Sequence, residues 1–161
     1  MFAKSTTYCV VFLAGTLMVS SACSSSSNPA GPSGQTQSSN ASGTVTVSVN
    51  PNPVPFSGQP ITDEPDCAGR SNTWYYDLNL GETGGEPVTF HSRIDAFDGF
   101  VKNNLKGLSI SVPPGGSITL STRWCSSTNA RHTAQHTFTG TDARGNSITL
   151  QSPVVSLMAN R

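Results

Sequence analysis

The residues of this chain with chemistry to offer are three histidines, two short acidic clusters and four cysteines. Their spacing decides what chemistry is open to them. His132 and His136 stand four apart in an alternating segment, HTAQHTFTG, so on a strand they share a face with Ala134 and Phe138. The strand rise separates them by about 13 Å, too far to hold one metal ion. The expected role for each is a partly buried imidazole bonded to a neighbour, and His91 stands apart on another segment. The acidic clusters are TDEPD (62–66) and DAFDG (95–99). Calcium needs roughly six to eight oxygen ligands, and the alternate-acid spacing of an EF-hand is absent. Asp95 and Asp98 therefore read as a solvated turn rather than as part of a calcium site. Spacing singles out no pair of carboxylates for glycoside hydrolysis. A G-x-S-x-G nucleophile elbow is missing. GETGG (81–85) and PPGG (113–116) lack both the lysine and the following helix of a phosphate loop. The reading is a non-enzyme with no catalytic residue, no metal and no cofactor.

The cysteines speak to compartment. Lys4, an apolar stretch from Cys9 to Val19 and the small residues Ser20, Ser21 and Ala22 form the charged, apolar and cleavage regions of a secretory signal peptide over residues 1–22. The apolar stretch falls short of the roughly 20 residues that span a bilayer. Cleavage before Cys23 fits ordinary signal peptidase. It also resembles a bacterial lipobox, with Ser20 standing where Leu is usual. Removal of Cys9 and pairing of Cys67 with Cys125 in an oxidising compartment leave Cys23 odd. A lipid on Cys23 removes the anomaly; the other possibilities are an unmodified terminus or an intermolecular bond. Residues 24–43, SSSSNPAGPSGQTQSSNASG, have no charge and too little apolar surface to offset ordering entropy, which makes 23–43 a tether behind the anchor. The expected address is the bacterial cell envelope, with the membrane engaged through the lipid; the alternative is free secretion.

A Cys67–Cys125 disulfide closes a long loop, which loop-entropy arithmetic values at about 4 kcal/mol at most. It would staple the polar connection ITDEPDCAGRS to the rim of the fold. Two free thiols, or a two-cysteine metal site without further partners, are the alternatives.

The elements that must position these groups are strands. TVTVSVN (44–50), NTWYYDLNL (72–80), EPVTFHSRIDA (86–96), LSISV (108–112), SITLSTRW (117–124), HTAQHTFTG (132–140) and NSITLQSPVVSL (146–157) all alternate apolar with polar residues. In the third, Val88, Phe90 and Ile94 are expected to face one way, and His91, Arg93 and Asp95 the other. PNPVP, GETGGEP, PPGG and ARGN punctuate them as turns, Gly145 supplying a positive φ. Seven short strands over residues 44–161 predict one all-β, Ig-like antiparallel β-sandwich domain. The loop 60–71 and the segment 97–106 read as irregular additions.

The order WYYDLNLGETGGEPVTFHSRI, LSISVPPGGSITLSTRW, HTFTGTDARGNSITL resembles bacterial Ig-like modules of the abnormal-spindle/Hydin kind. The resemblance spans roughly residues 72–157. It implies an Ig-like sandwich and carries over no catalytic residue.

Charge excludes one partner class. The nine basic and nine acidic residues cancel, and no basic run occurs, whereas a nucleic-acid surface needs a basic stripe. Tyr75, Phe97 and Phe100 are the aromatic candidates for ligand contact, against the alternative that the two phenylalanines cap the core. The expected function is a structural or interaction module with an unknown protein or glycan partner. The alternatives are a carbohydrate-binding module using exposed aromatics and, further off, a small secreted hydrolase. The tether contributes no apolar residue to the domain, so deleting residues 24–43 is expected to leave the thermal midpoint unchanged, as checked by calorimetry of the soluble domain.

Overall fold

The computed structural model describes residues 45–161. The signal segment, Cys23 and the tether lie outside the described residues. The described residues form eight strands: β1 (Val45–Asn50), β2 (Asn72–Glu82), β3 (Val88–Phe97), β4 (Phe100–Val112), β5 (Ser117–Ser126), β6 (His132–Asp142), β7 (Ser147–Gln151) and β8 (Val155–Leu157). One sheet runs β1-β2-β5 and the other β4-β3-β6-β7, with β8 also pairing β6. Every strand-to-strand ladder is antiparallel. The expected Ig-like sandwich is present.

Its core follows the two-residue period. Trp74, Tyr76, Leu78 and Leu80 of β2 are buried against Val88 and Phe90 of β3, Phe138 of β6 and Ile148 of β7. Each fully buried side chain of this size stabilises the fold by about 1.5–3 kcal/mol. Glu82 is also buried, at 2% exposure. Its carboxylate accepts backbone N–H groups from Gly84, from Gly85 (2.9 Å) and from Gly115 (2.7 Å), and so ties the β2–β3 turn to the β4–β5 turn. The Gly115 N–H, followed by those of the β2–β3 turn, holds its pKa below the usual glutamate range in spite of burial.

Three expectations are corrected. Residues 97–106 are not an irregular addition: Asp98 and Gly99 take φ of 52° and 79°, a two-residue primed turn that joins β3 to β4 directly. The first half of β4 escaped the alternation pattern because Phe100–Gly107 are exposed throughout. The segment 146–157 is two strands, because Pro153 has no N–H to give the ladder and the chain breaks between Gln151 and Val155.

The expected faces of β3 change as well. Phe90 pairs with Gly140 and Ser92 with Thr139, so His91 is the extra residue of a β-bulge. The bulge exchanges the faces after it. Asp95 becomes buried while Ile94 is only partly so, and DAFDG is a strand end and turn rather than a solvated acidic loop.

The bulge also brings β6 very close. An added Cβ on Gly140 would lie 2.1 Å from the Thr89 carbonyl oxygen and 2.6 Å from the Phe90 Cα. Both are backbone atoms and cannot step aside. Gly140→Ala is therefore expected to destabilise the domain by about 3 kcal/mol or more, measurable by denaturant unfolding.

Candidate functional site

With β3 re-aimed, Arg93 and Asp95 point between the sheets. Their side chains are 12% and 6% exposed, and Arg93 Nε donates to Asp95 Oδ1 at 2.6 Å. Three elements complete the arrangement. β6 supplies His136, fully buried, whose Nδ1 lies 2.6 Å from Asp95 Oδ1. β2 supplies Tyr76, whose hydroxyl is 2.6 Å from His136 Nε2. β5 supplies Trp124, whose Nε1–H donates to the Tyr76 oxygen at 2.9 Å.

Only one proton arrangement satisfies every member. Trp124 donates to Tyr76, Tyr76 O–H donates to His136 Nε2, and His136 Nδ1–H donates to Asp95; the tautomer is assigned from these partners. Arg93 Nη2, 3.2 Å from Nδ1, then faces another donor and gives its hydrogen to Thr122 Oγ1 at 3.2 Å.

Acidities follow the same logic. Burial pushes the Tyr76 phenol well above its ordinary value. Burial lowers His136, against the opposing pull of the Asp95 hydrogen bond. At Asp95 burial works upward, but the His136 hydrogen bond and the Arg93 charge outweigh it and hold the carboxyl low. The result is a neutral tyrosine, a neutral imidazole and an ionised carboxylate paired with arginine. Such a chain fixes its side chains in place.

A second chain links Asp98, His132 and Thr128. His132 Nδ1 is 2.7 Å from Asp98 Oδ2, and Nε2 is 3.2 Å from Thr128 Oγ1. The order of groups is that of a hydroxyl–imidazole–carboxylate triad, but the local contacts serve the fold. Asp98 also accepts the Thr133 N–H at 2.8 Å, and the His132 ring packs against Trp74 (5.4 Å) and Phe97 (4.8 Å). The chain clasps the β3–β4 turn onto β6. Both histidines are bonded to neighbours, as expected, and His136 is fully rather than partly buried.

The Arg93–Asp95 pair opens onto the flank between β4 and β5. Two adjoining hollows of about 400 and 500 Å³ share Glu64, Asn103, Arg123 and Trp124. The smaller adds Tyr75, Arg93, Asp95 and Thr122. The larger adds Phe97, Lys102, Arg70 and the cystine. Cys67 and Cys125 are disulfide-bonded with Cα atoms 5.7 Å apart, which staples the 3-10 turn Pro65–Cys67 to β5. Arg123 reinforces that tie through Asp63 (2.6 Å) and Glu64 (3.2 Å).

Of the candidates named from the sequence, Tyr75, Phe97 and the Cys67–Cys125 cystine line this flank. Tyr75 is 36% exposed, with its hydroxyl donating to the Gln59 carbonyl at 3.1 Å. Phe97 packs on Trp124, the rings 5.0 Å apart and tilted by 42°, so it does cap the core. Phe100, 69% exposed, does not. Arg93, Asp95 and Trp124 were missed as site residues. Trp124 was legible as an inward strand residue. The other two were not, because SRIDA reads as alternating in either phase and nothing in it marks the bulge. Among the described residues no His, Cys, Asp and Glu cluster could hold a metal ion.

No protein-family model matches the chain, and no curated protein matches it. Solved structures do resemble it. A structural-genomics target, SoR45, superposes with a TM-score of 0.53 at 11% identity, over 71% of this chain and 86% of that one. The putative ApaA protein from Bordetella pertussis gives 0.53 at 18%, over 73% and 94%. The CARDB domain of a Pyrococcus furiosus protein, solved with di-metal ions, gives 0.45 at 15%, over 72% and 94%. At these identities the likeness is one of fold alone.

The buried chain makes stability pH-dependent. Asp95 titrates below the unfolded value of about 3.9, so its contribution is complete above that pH and lost as pH falls through the folded value. His136 titrates below its unfolded value of about 6.5. The unfolded chain therefore takes up that proton first, and stability begins to decline as pH falls below about 6.5. Asp95→Asn breaks the buried pair and is expected to cost about 3–5 kcal/mol at neutral pH. It should also make the decline below about pH 4 shallower in denaturant titrations run across pH.

Proposed function

We propose that this chain is an exported, lipid-anchored, non-catalytic interaction module of the bacterial envelope, an Ig-like domain held off a membrane by the tether 24–43. The observation that carries the non-catalytic part is the use made of its titratable groups. Asp95, His136 and Tyr76 are closed into one hydrogen-bonded chain inside the sandwich, and Asp98 and His132 clasp a turn. The exposed surface instead presents apolar side chains on a sheet edge, where Phe100, Val101 and Leu105 are 69%, 62% and 43% exposed. Large apolar side chains exposed on a sheet edge are groups that a docking partner can cover.

The rings of the flank give the glycan alternative little support. Phe97 and Trp124 are tilted rather than coplanar, and among the described large exposed apolar residues only Tyr75 and Phe100 are aromatic. Sandwiches host many functions, so the fold by itself does not choose among them. The reading rests on the side chains and, for its address, on Ala22-Cys23 and the serine-rich tract behind it.

The tether is tested through Cys23. Intact mass of the protein taken from membrane fractions is expected to show added acyl chains on a chain beginning at Cys23, and Cys23→Ser is expected to release the protein in soluble form. A wild-type protein that is already soluble and unmodified overturns the anchor.

A further inference from the structure

In a two-sheet sandwich the opposing sheet covers the inward face of each strand. β4 departs from this, since every residue from Phe100 to Gly107 is exposed. The strand nevertheless has an inward face there. Asn103 stands opposite Asp95 and Leu105 opposite Arg93 on β3, and directly paired residues share a face. The cause lies in the other sheet, which ends at β5 and leaves the start of β4 overhanging. Among the described residues β4 also ends its own sheet, so its outer row of N–H and C=O groups has no described strand beside it. An edge that keeps both its backbone groups and apolar side chains free is a template for strand addition.

Charge selects what fits. β4 carries Lys102 and Lys106 and no carboxylate. Neither lysine is ion-paired among the described residues. Most nearby carboxylates are already engaged: Asp95 by Arg93 and His136, and Asp63 and Glu64 by Arg123. Asp66 alone lines the larger hollow without an ion pair, and Arg70 stands there likewise. A second copy of β4 laid along the first would set lysines of both copies on adjacent strands with no carboxylate between them. Like charges so placed repel, so the edge is guarded against its own copy.

We propose that β4 from Phe100 to Gly107 docks an extended segment of another protein that alternates apolar with acidic residues. The segment adds as a strand to the free edge and satisfies its backbone groups. Its inward apolar side chains lie beside Phe100 and Leu105, over the hollow walled by Trp124 and Phe97. Its carboxylates reach Lys106 on the outward face and, at the hairpin end, Lys102, whose ammonium lies 6.0 Å from the centre of the Phe100 ring at the rim of the hollow. This rests on the reading of the domain as an interaction module and names the surface and the partner's chemistry.

The test uses the mature chain carrying Cys23→Ser. The probe is a peptide about ten residues long, alternating valine and threonine and carrying two glutamates; its counterpart carries two lysines. Amide hydrogen exchange and chemical shifts are read over Phe100–Gly107. The glutamate peptide is expected to protect these amides and to bind roughly tenfold tighter than the lysine peptide, the effect of two cross-strand charge pairs. The exposed double variant Lys102→Glu/Lys106→Glu should reverse the preference. Absence of protection, or equal protection by both peptides, overturns the proposal. So does concentration-dependent self-association that protects the same amides without peptide, and so does lysine-dependent binding of polygalacturonate that leaves the amides unprotected. None of these outcomes touches the non-catalytic reading or the anchor, which fail instead if turnover is found or if Cys23 is unmodified.

Discussion

A carboxylate removed from water costs several kcal/mol unless it is paired and hydrogen-bonded. Asp95, buried at 4% exposure, imposes that requirement on the middle of this sandwich. Four strands answer it: β3 with Arg93, β6 with His136, β2 with Tyr76 and β5 with Trp124. The two sheets are thus joined by a hydrogen-bonded chain as well as by apolar packing. Apolar contacts tolerate exchange among shapes of similar volume. A chain in which each donor has one acceptor does not. The network therefore sets how the flank of the sandwich is arranged, and the bulge at His91 is what places Asp95 inside to require it.

The architecture was legible wherever one face of a strand is buried and the other wet. β2 showed its four core residues at the right spacing, and β6 put His136 on the inward face with Ala134 and Phe138, as found. The cysteine pair and the Gly145 turn were legible too, the first from parity and the second from the residues around it. The pattern failed in β3 and β4 for two physical reasons. A bulge shifts the phase of alternation without changing composition, so Arg93 and Asp95 looked solvent-facing. A strand with both faces exposed has no alternation to display, so Phe100–Gly107 looked like loop even though Asp98-Gly99 is a hairpin dipeptide. The candidate site lies where these two failures meet. That is why Tyr75, Phe97 and the cystine were found and the charged floor was not.

The same geometry explains why the flank stays open. Loop 61–70 is held against β5 by the cystine and by Arg123 with Asp63 and Glu64, so the loop builds a wall and does not fold across the gap. On the far side the primed turn at Asp98-Gly99 is anchored to β6 by Asp98 N–H to the Thr133 carbonyl and by the His132 clasp. The hairpin end is therefore fixed while the strand leaving it is uncovered. Between wall and hairpin, Arg93, Asp95 and Trp124 present one side each to the hollow, and their other sides are locked by His136, Tyr76 and Thr122. A surface built this way loses little side-chain freedom when something settles on it, because its rotamers are already set. The exposed half of β4 differs in kind from an ordinary solvated edge: it pairs a rigid floor with backbone positions that no described strand fills, and those two features together are what an added strand requires.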